Sequence, residues 1–265
     1  MNYIDTNKAA WEEAFDNRHT DWAANNYLRV KSEKFAFFDS DLKDLLKNMD
    51  FKGKTVAQFC CNDGRELLSL MDSGADFGVG FDIAENMIEH AKETAEKASI
   101  KNCEFHACDI LEIPECWHDK FDLILLTIGA ITWFEDITLF FEMVAKCLKS
   151  NGLVIINDYH PMVNMLPLPG EAEYNHDDLN RVVFSYFKKE PWVDNNGMGY
   201  MSTLQESKTF TSYTHTMADI INALVANGLN ITKFQEYDYD IMFETKVYEG
   251  KGFPLSYILI AEKED

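Results

Sequence analysis

Short apolar runs rich in β-branched and aromatic residues alternate with longer stretches of helical periodicity through the middle of the chain. TVAQF (Thr55–Phe59), FGVGF (77–81), CEFHA (Cys103–Ala107), DLILL (122–126) and LVIIN (153–157) predict five strands. Between them, Arg65–Asp72, Glu85–Ala98 and residues 136–149 predict helices. The second helix carries Met87, Ile88, Ala91, Ala95 and Ala98 at helical spacing, and Asn151-Gly152 stops the third. The strand runs are apolar on both faces, which suits a parallel sheet covered by helices on each side. Repeats of strand, helix and strand cross over right-handedly.

Outside this core the rhythm changes. Residues 1–50 read as a helical N-terminal cap, clearest over 9–15 and 34–48, and residues 51–265 as the main domain. At about 160–212 the chain carries Pro161, Pro167, Pro169, Pro191, Gly170, Gly197 and Gly199 among several Tyr and Phe. So many breakers with so many aromatics predict an insertion of little regular structure that still packs on something. Periodicity returns in a helix over 217–228, followed by two closing strands at 231–237 and 255–261.

Charge narrows the range of partners. The 265 residues include 24 Lys plus Arg against 45 Asp plus Glu, a formal net charge of −21. Affinity for a phosphate backbone is built on Lys and Arg displacing counterions, so nucleic acid is disfavoured, as is an anionic membrane surface. Small neutral or cationic ligands fit better. There is no basic start followed by an apolar stretch, and no apolar run reaches the ~20 residues a bilayer span needs. The six cysteines lack the spacing of a disulfide framework, and together these features predict a cytoplasmic protein with reduced thiols. Cys103, His106, Cys108, Cys116 and His118 raise the question of zinc. Cys103 and His106 lie on one short strand where alternation points them to opposite faces, so no metal is expected.

In an open α/β sheet, ligands bind beyond the carboxyl ends of the strands, near the point where strand order reverses. After the first strand comes Cys60-Cys61-Asn62-Asp63-Gly64; Asp82 ends the second, Asp109 follows the third, Thr127 the fourth, and Asp158-Tyr159-His160-Pro161 the fifth. A carboxylate at Asp82 can accept two hydrogen bonds from vicinal ribose hydroxyls, or cap the helix that starts near Glu85. Asp109 can accept from an adenine amino group, or simply form a turn. Only Gly64 remains of a G-x-G-x-x-G fingerprint, which speaks against NAD or FAD and for a cofactor without phosphates.

The stretch TVAQFCCNDGRELLSLMDSGADFGVGFDIAENMIEHAKE resembles the nucleotide-binding half of class I S-adenosylmethionine-dependent methyltransferases. Later segments, FDLILLTIGAITWFEDI and SNGLVIINDYHP, resemble a small-molecule subgroup of bacterial members. The resemblance covers residues 55–160 most firmly. It implies an α/β, Rossmann-like seven-stranded sheet, mostly parallel with one antiparallel strand and helices on both faces. It also implies S-adenosylmethionine as cofactor, S-adenosylhomocysteine as product, and in-line transfer of the methyl group to a small-molecule acceptor. Gly64 falls at the last glycine of the first motif, Asp82 at the ribose-binding acid, and Asp109-Ile110 at the adenine-contacting pair. Cys60, Ile83, Met87 and Thr127 join them as expected cofactor contacts, with Trp11 and Tyr27 as a lid. The departure lies in the first motif, where Gln58, Cys60 and Asn62 replace the usual acid and two glycines.

Methyl transfer asks little covalent chemistry of the protein, since the cofactor carries the reactivity and the fold supplies alignment. A base is needed only when the acceptor atom is protonated. His160, just past the fifth strand, is the candidate catalytic base, with His215 behind it. Tyr159, Tyr186 and Tyr213 are possible substrate contacts. The altered first motif leaves a second reading open, a protein that binds the cofactor without turnover as a sensor or interaction module.

Overall fold

Residues 2–242 and 244–265 are described by the computed structural model. Three helices, α1 (Tyr3–Asp16), α2 (Asn26–Ser32) and α3 (Ser40–Lys47), precede β1 (Thr55–Phe59). The alternating core follows as α4 (Arg65–Asp72), β2 (Phe77–Asp82), α5 (Glu85–Ala98), β3 (Cys103–Ala107), β4 (Phe121–Thr127), α6 (Ile137–Cys147) and β5 (Leu148–Tyr159). A short hairpin of β6 (Trp192–Asp194) and β7 (Phe210–Ser212) then leads to α7 (Met217–Ala226), β8 (Leu229–Tyr237) and β9 (Ser256–Lys263).

Seven strands form one sheet in the order β3-β2-β1-β4-β5-β9-β8. Pairing is parallel from β3 through β5, and β9 runs antiparallel to both its neighbours. It is the single reversed strand of a Rossmann-like sheet. The order steps outward from β1 to β3 and then returns to the other side of β1 with β4. That reversal leaves a crevice at the carboxyl ends of β1 and β4.

Strand alternation divides the apolar side chains between two layers. On β4, Ile124 and Leu126 pack with Phe59, Phe81, Phe140 and Phe141 on one face of the sheet. Leu123 and Leu125 pack on the other, with Leu67, Leu68 and Ile88 from α4 and α5 and Leu42 and Leu46 from α3.

Several boundaries differ from the sequence expectation for local reasons. The helix expected over 34–48 is confined to α3, because Asp39 caps it by accepting from Asp41 and Leu42 N–H, both at 3.0 Å. Phe35 and Phe38 ahead of the cap are buried instead, with Phe35 in the left-handed region. α2 falls within the stretch read as helical but outside its two clearest segments, and the helix over 9–15 extends to Tyr3–Asp16. Asp136 is the cap of α6, not its first residue, and the chain turns extended at Leu148, so β5 begins earlier than 153.

Within residues 160–212 the regular structure is one 3-10 turn (Pro161–Met165) and the β6–β7 hairpin. α1 docks on that hairpin. Buried Asn7 donates through Nδ2 to Thr211 O at 2.8 Å and accepts from Thr211 N–H at 2.7 Å. Trp11 meets Phe210 and Trp133 edge-on, with ring centroids 5.3 and 5.2 Å apart. The other side of α1 is pinned to α5, where Asn86 Nδ2 donates to Glu12 O at 2.8 Å and Asp16 Oδ1 at 2.9 Å. All six cysteines are free thiols, and no described helix is long and apolar enough to cross a membrane.

Asn7→Ala strands a buried N–H and a buried carbonyl on Thr211. It should cost about 2–4 kcal/mol of stability, read as a lower urea midpoint in equilibrium unfolding.

Candidate active site

The loop after β1 is built on alternating left-handed residues, Cys60, Asn62 and Gly64, at φ of +54°, +51° and +75°. Gly64 has a second reason to lack a side chain: a Cβ there would lie 2.5 Å from the Phe105 ring and 2.9 Å from Ala91. Asn tolerates this conformation, whereas Cys adopts it at a cost of roughly 1–2 kcal/mol. The path of a glycine-rich turn is thus kept with one glycine. Burial, then the charges of Asp82 and Asp109, push the Cys60 thiol well up, so it is a neutral contact and not a nucleophile.

Asp82 holds this loop in place. Its Oδ2 accepts from Asn62 N–H at 2.8 Å, and its Oδ1 accepts from Ala84 N–H at 3.0 Å at the entrance to α5. Glu85, at the start of α5, pairs with Lys8 at 2.5 Å. Cys108 N–H donates to Asp82 O at 2.8 Å, which brings Asp109 alongside. Asp109 Oδ1 accepts from Leu111 N–H at 2.9 Å at a 3-10 turn. Burial raises both carboxyls above their ordinary values, and in each case the backbone donors oppose it.

Over these strand ends lies a cavity of about 570 Å³, in the range of small-molecule sites. Trp11, Cys60, Asp82, Ile83 and Met87 line it, as do Asp109, Ile110 and Thr127. The two acids therefore sit on neighbouring strand tips and open into one space.

Three of the expected site residues lie elsewhere. Tyr27 packs with the α2–α4 apolar layer, and Gly64 faces Phe105, where it permits close packing. His160 is turned from the cavity: its Nδ1 accepts from Met162 N–H at 3.1 Å and its Nε2 is 2.9 Å from Glu236. It caps a turn and ties β5 to β8. His215 is likewise engaged, with Nε2 2.8 Å from Phe134 O.

Tyr159 is the residue of that strand end which does line the cavity. Neighbouring Asp158 is buried and accepts through Oδ1 from Gly129 N–H at 2.6 Å and Tyr159 N–H at 2.8 Å. It fixes the loop after β4, and burial raises it to about 7. Tyr3 and Asn7 from α1, Trp22, Tyr200 and Glu244 also line the space, and periodicity gives no sign of them. Arg65 and Glu66 do so from the first turn of α4, inside the recognised motif but outside its expected contacts.

A family model described as a methyltransferase domain matches residues 50–213. Demethylmenaquinone methyltransferase of Lactococcus lactis is 24% identical over 210 residues, 76% of this chain and 80% of that one. Among solved structures, an S-adenosylmethionine-dependent methyltransferase from Mesorhizobium loti aligns with a TM-score of 0.62 at 19% identity, over 83% of this chain and 97% of that one. The geranyl diphosphate C-methyltransferase of Streptomyces coelicolor, solved with S-adenosylhomocysteine, aligns over 99% of each chain with a TM-score of 0.62 at 12% identity. The chain belongs to the methyltransferase-domain family. Its fold is that of S-adenosylmethionine-dependent methyltransferases of known structure.

Gly64→Ala combines a left-handed Cβ with contact against Phe105, and should destabilise by about 3 kcal/mol in urea unfolding. Asp158 supplies a pH test. The folded chain holds its proton up to about 7 whereas the ordinary value is 3.8. Between those values unfolding releases a proton, so rising pH favours unfolding. The stability of wild type minus that of Asp158→Asn should therefore fall from about pH 4 to about pH 7 and level off above that in paired denaturation curves.

Proposed function

We propose that this cavity carries out methyl transfer from S-adenosylmethionine to a small-molecule acceptor that is neutral or cationic, leaving S-adenosylhomocysteine. The observation that carries the reading is the pair Asp82 and Asp109, on adjacent strand tips and open to one cavity. Each carboxylate keeps accepting capacity beyond its backbone donors, Asp82 for ribose hydroxyls and Asp109 for the adenine amino group. Ile83, Met87 and Ile110 supply the apolar surface that a purine needs beside those acceptors.

When bound, the cofactor supplies a methyl group already activated on a sulfonium. The protein's part is to align the acceptor and exclude water, which can contribute several kcal/mol, up to about 7–11 in ideal systems. Trp11 and Trp133 offer aromatic faces to a cationic sulfur. Tyr159 and Glu244 serve as acceptor contacts. Glu244 is exposed at the edge of the cavity, where partial desolvation, then the nearby charges of Asp240 and Glu171, raises its carboxyl, which suits it to take a proton from an acceptor. In this reading residues 1–50 act as a cap on the domain formed by 51–265, and the insertion at about 160–212 shapes the acceptor end.

Among the described lining residues Arg65 is the one permanent cation, and it stands beside the β1 loop. The remainder supports a neutral or positively charged acceptor. Demethylmenaquinone and geranyl diphosphate, which the names of the two relatives carry, are both small molecules. The net charge of −21 supports neither a nucleic-acid nor a membrane partner. Six unpaired thiols support a cytoplasmic location.

Titration calorimetry with S-adenosylhomocysteine should give micromolar binding, and Asp82→Ala should weaken it by about tenfold or more, ~1.4 kcal/mol. Wild type that fails to bind at millimolar concentration overturns the reading. With S-adenosylmethionine and a panel of amines and hydroxylated compounds, release of S-adenosylhomocysteine identifies the acceptor class.

A further inference from the structure

The methionine end of the cofactor bears an ammonium as well as a carboxylate, and an ammonium entering an enclosed, largely apolar site needs a compensating charge. Gln58 stands where the family's first motif has an acid, and it is neutral and engaged on both sides. Its Nε2 donates to Thr127 Oγ1 at 2.9 Å and its Oε1 accepts from Leu67 N–H at 3.1 Å. The second of those bonds brings the first turn of α4 against Gln58, and the residue before Leu67 is Glu66.

Glu66 lines the cavity while only 7% exposed. Arg65 Nε donates to its Oε1 at 2.8 Å, and no described residue bonds its Oε2. The other nearby acid, Asp63, is fully buried and does not line the cavity. Its Oδ2 accepts from Asn26 at 2.6 Å, and its Oδ1 faces Arg65 Nε at 3.8 Å. One carboxylate at this end of the site is thus both turned to the cavity and half unpartnered.

We propose that Glu66 receives the cofactor's ammonium through Oε2, in place of the acid missing at Gln58. The counter-charge has moved from the tip of β1 to the first turn of α4. Arg65 is the positioning residue, holding the carboxylate by its other oxygen and offsetting its burial. The inference rests on the S-adenosylmethionine reading of the cavity and extends it to the amino-acid end.

Calorimetry on the full chain, wild type and Glu66→Gln, separates the two claims with two probes. S-adenosylhomocysteine has the ammonium; 5′-methylthioadenosine keeps the nucleoside and sulfur but lacks the amino acid. Glu66→Gln should weaken S-adenosylhomocysteine by at least about tenfold while methylthioadenosine stays within about twofold of wild type. A smaller loss overturns the proposal, and so does an equal loss for both probes, which would mean that Glu66 only supports the loop. If wild type binds neither probe, the cofactor reading itself falls, and this inference with it. Retained methylthioadenosine binding also demonstrates that the variant is folded.

Discussion

A single buried carboxylate joins the parts on which the site depends. Asp82 takes one backbone N–H from the loop after β1 and another from the entrance to α5, each with a different oxygen. The first bond stabilises a turn that has lost two of its usual glycines; the second sets where Met87 and Ile83 stand. Removing such an acceptor leaves buried donors without partners, which costs more than the bond itself contributes. A ligand that also bonds this carboxylate reads a group whose position is already determined by the fold, so little ordering remains for binding to supply.

The electrostatic character of the site follows from burial more than from net charge. Asp82 and Asp109 open into the cavity at the sheet's carboxyl edge, and desolvation raises both. Negative charge held in a poorly solvated space attracts a positively charged guest more strongly than the same groups would on an exposed surface. Arg65 is matched locally by Glu66 and Asp63, so its charge is answered within its own turn. The surface excess of acid reinforces this field without creating it.

The alternating core was legible because period and residue type agree there: β1, α4, α5 and β3 have the very bounds that their apolar patterns predict. Asp82 and Asp109 were legible because a strand's end is visible in sequence. Side-chain direction was not. At the end of β5 the chain edge was clear, but Tyr159 turns to the cavity whereas Asp158 and His160, one step to either side, turn away. Tyr27 failed for a related reason, since its stretch read as helical but the facing of α2 is fixed by packing with the α3–α4 layer. Trp22, Tyr200 and Glu244 arrive from irregular segments whose course is set by long-range contacts, and no local periodicity encodes those. Glu66 is the intermediate case: its helix was foreseen, but its part emerges only when Gln58 is seen to be engaged.

The bond pair between Asn7 and Thr211 joins residues 204 positions apart. A ribosome delivers those two residues in sequence, at about 5–20 residues per second, so they are separated by roughly 10–40 s of synthesis. Throughout that interval Trp11 lacks the Phe210 ring that covers it from the hairpin, and the growing chain carries an aromatic face that its last quarter completes. The roof over the cavity is therefore a late event in the molecule's own assembly, and a nascent chain of this kind is a natural client for chaperones that bind exposed aromatic surface.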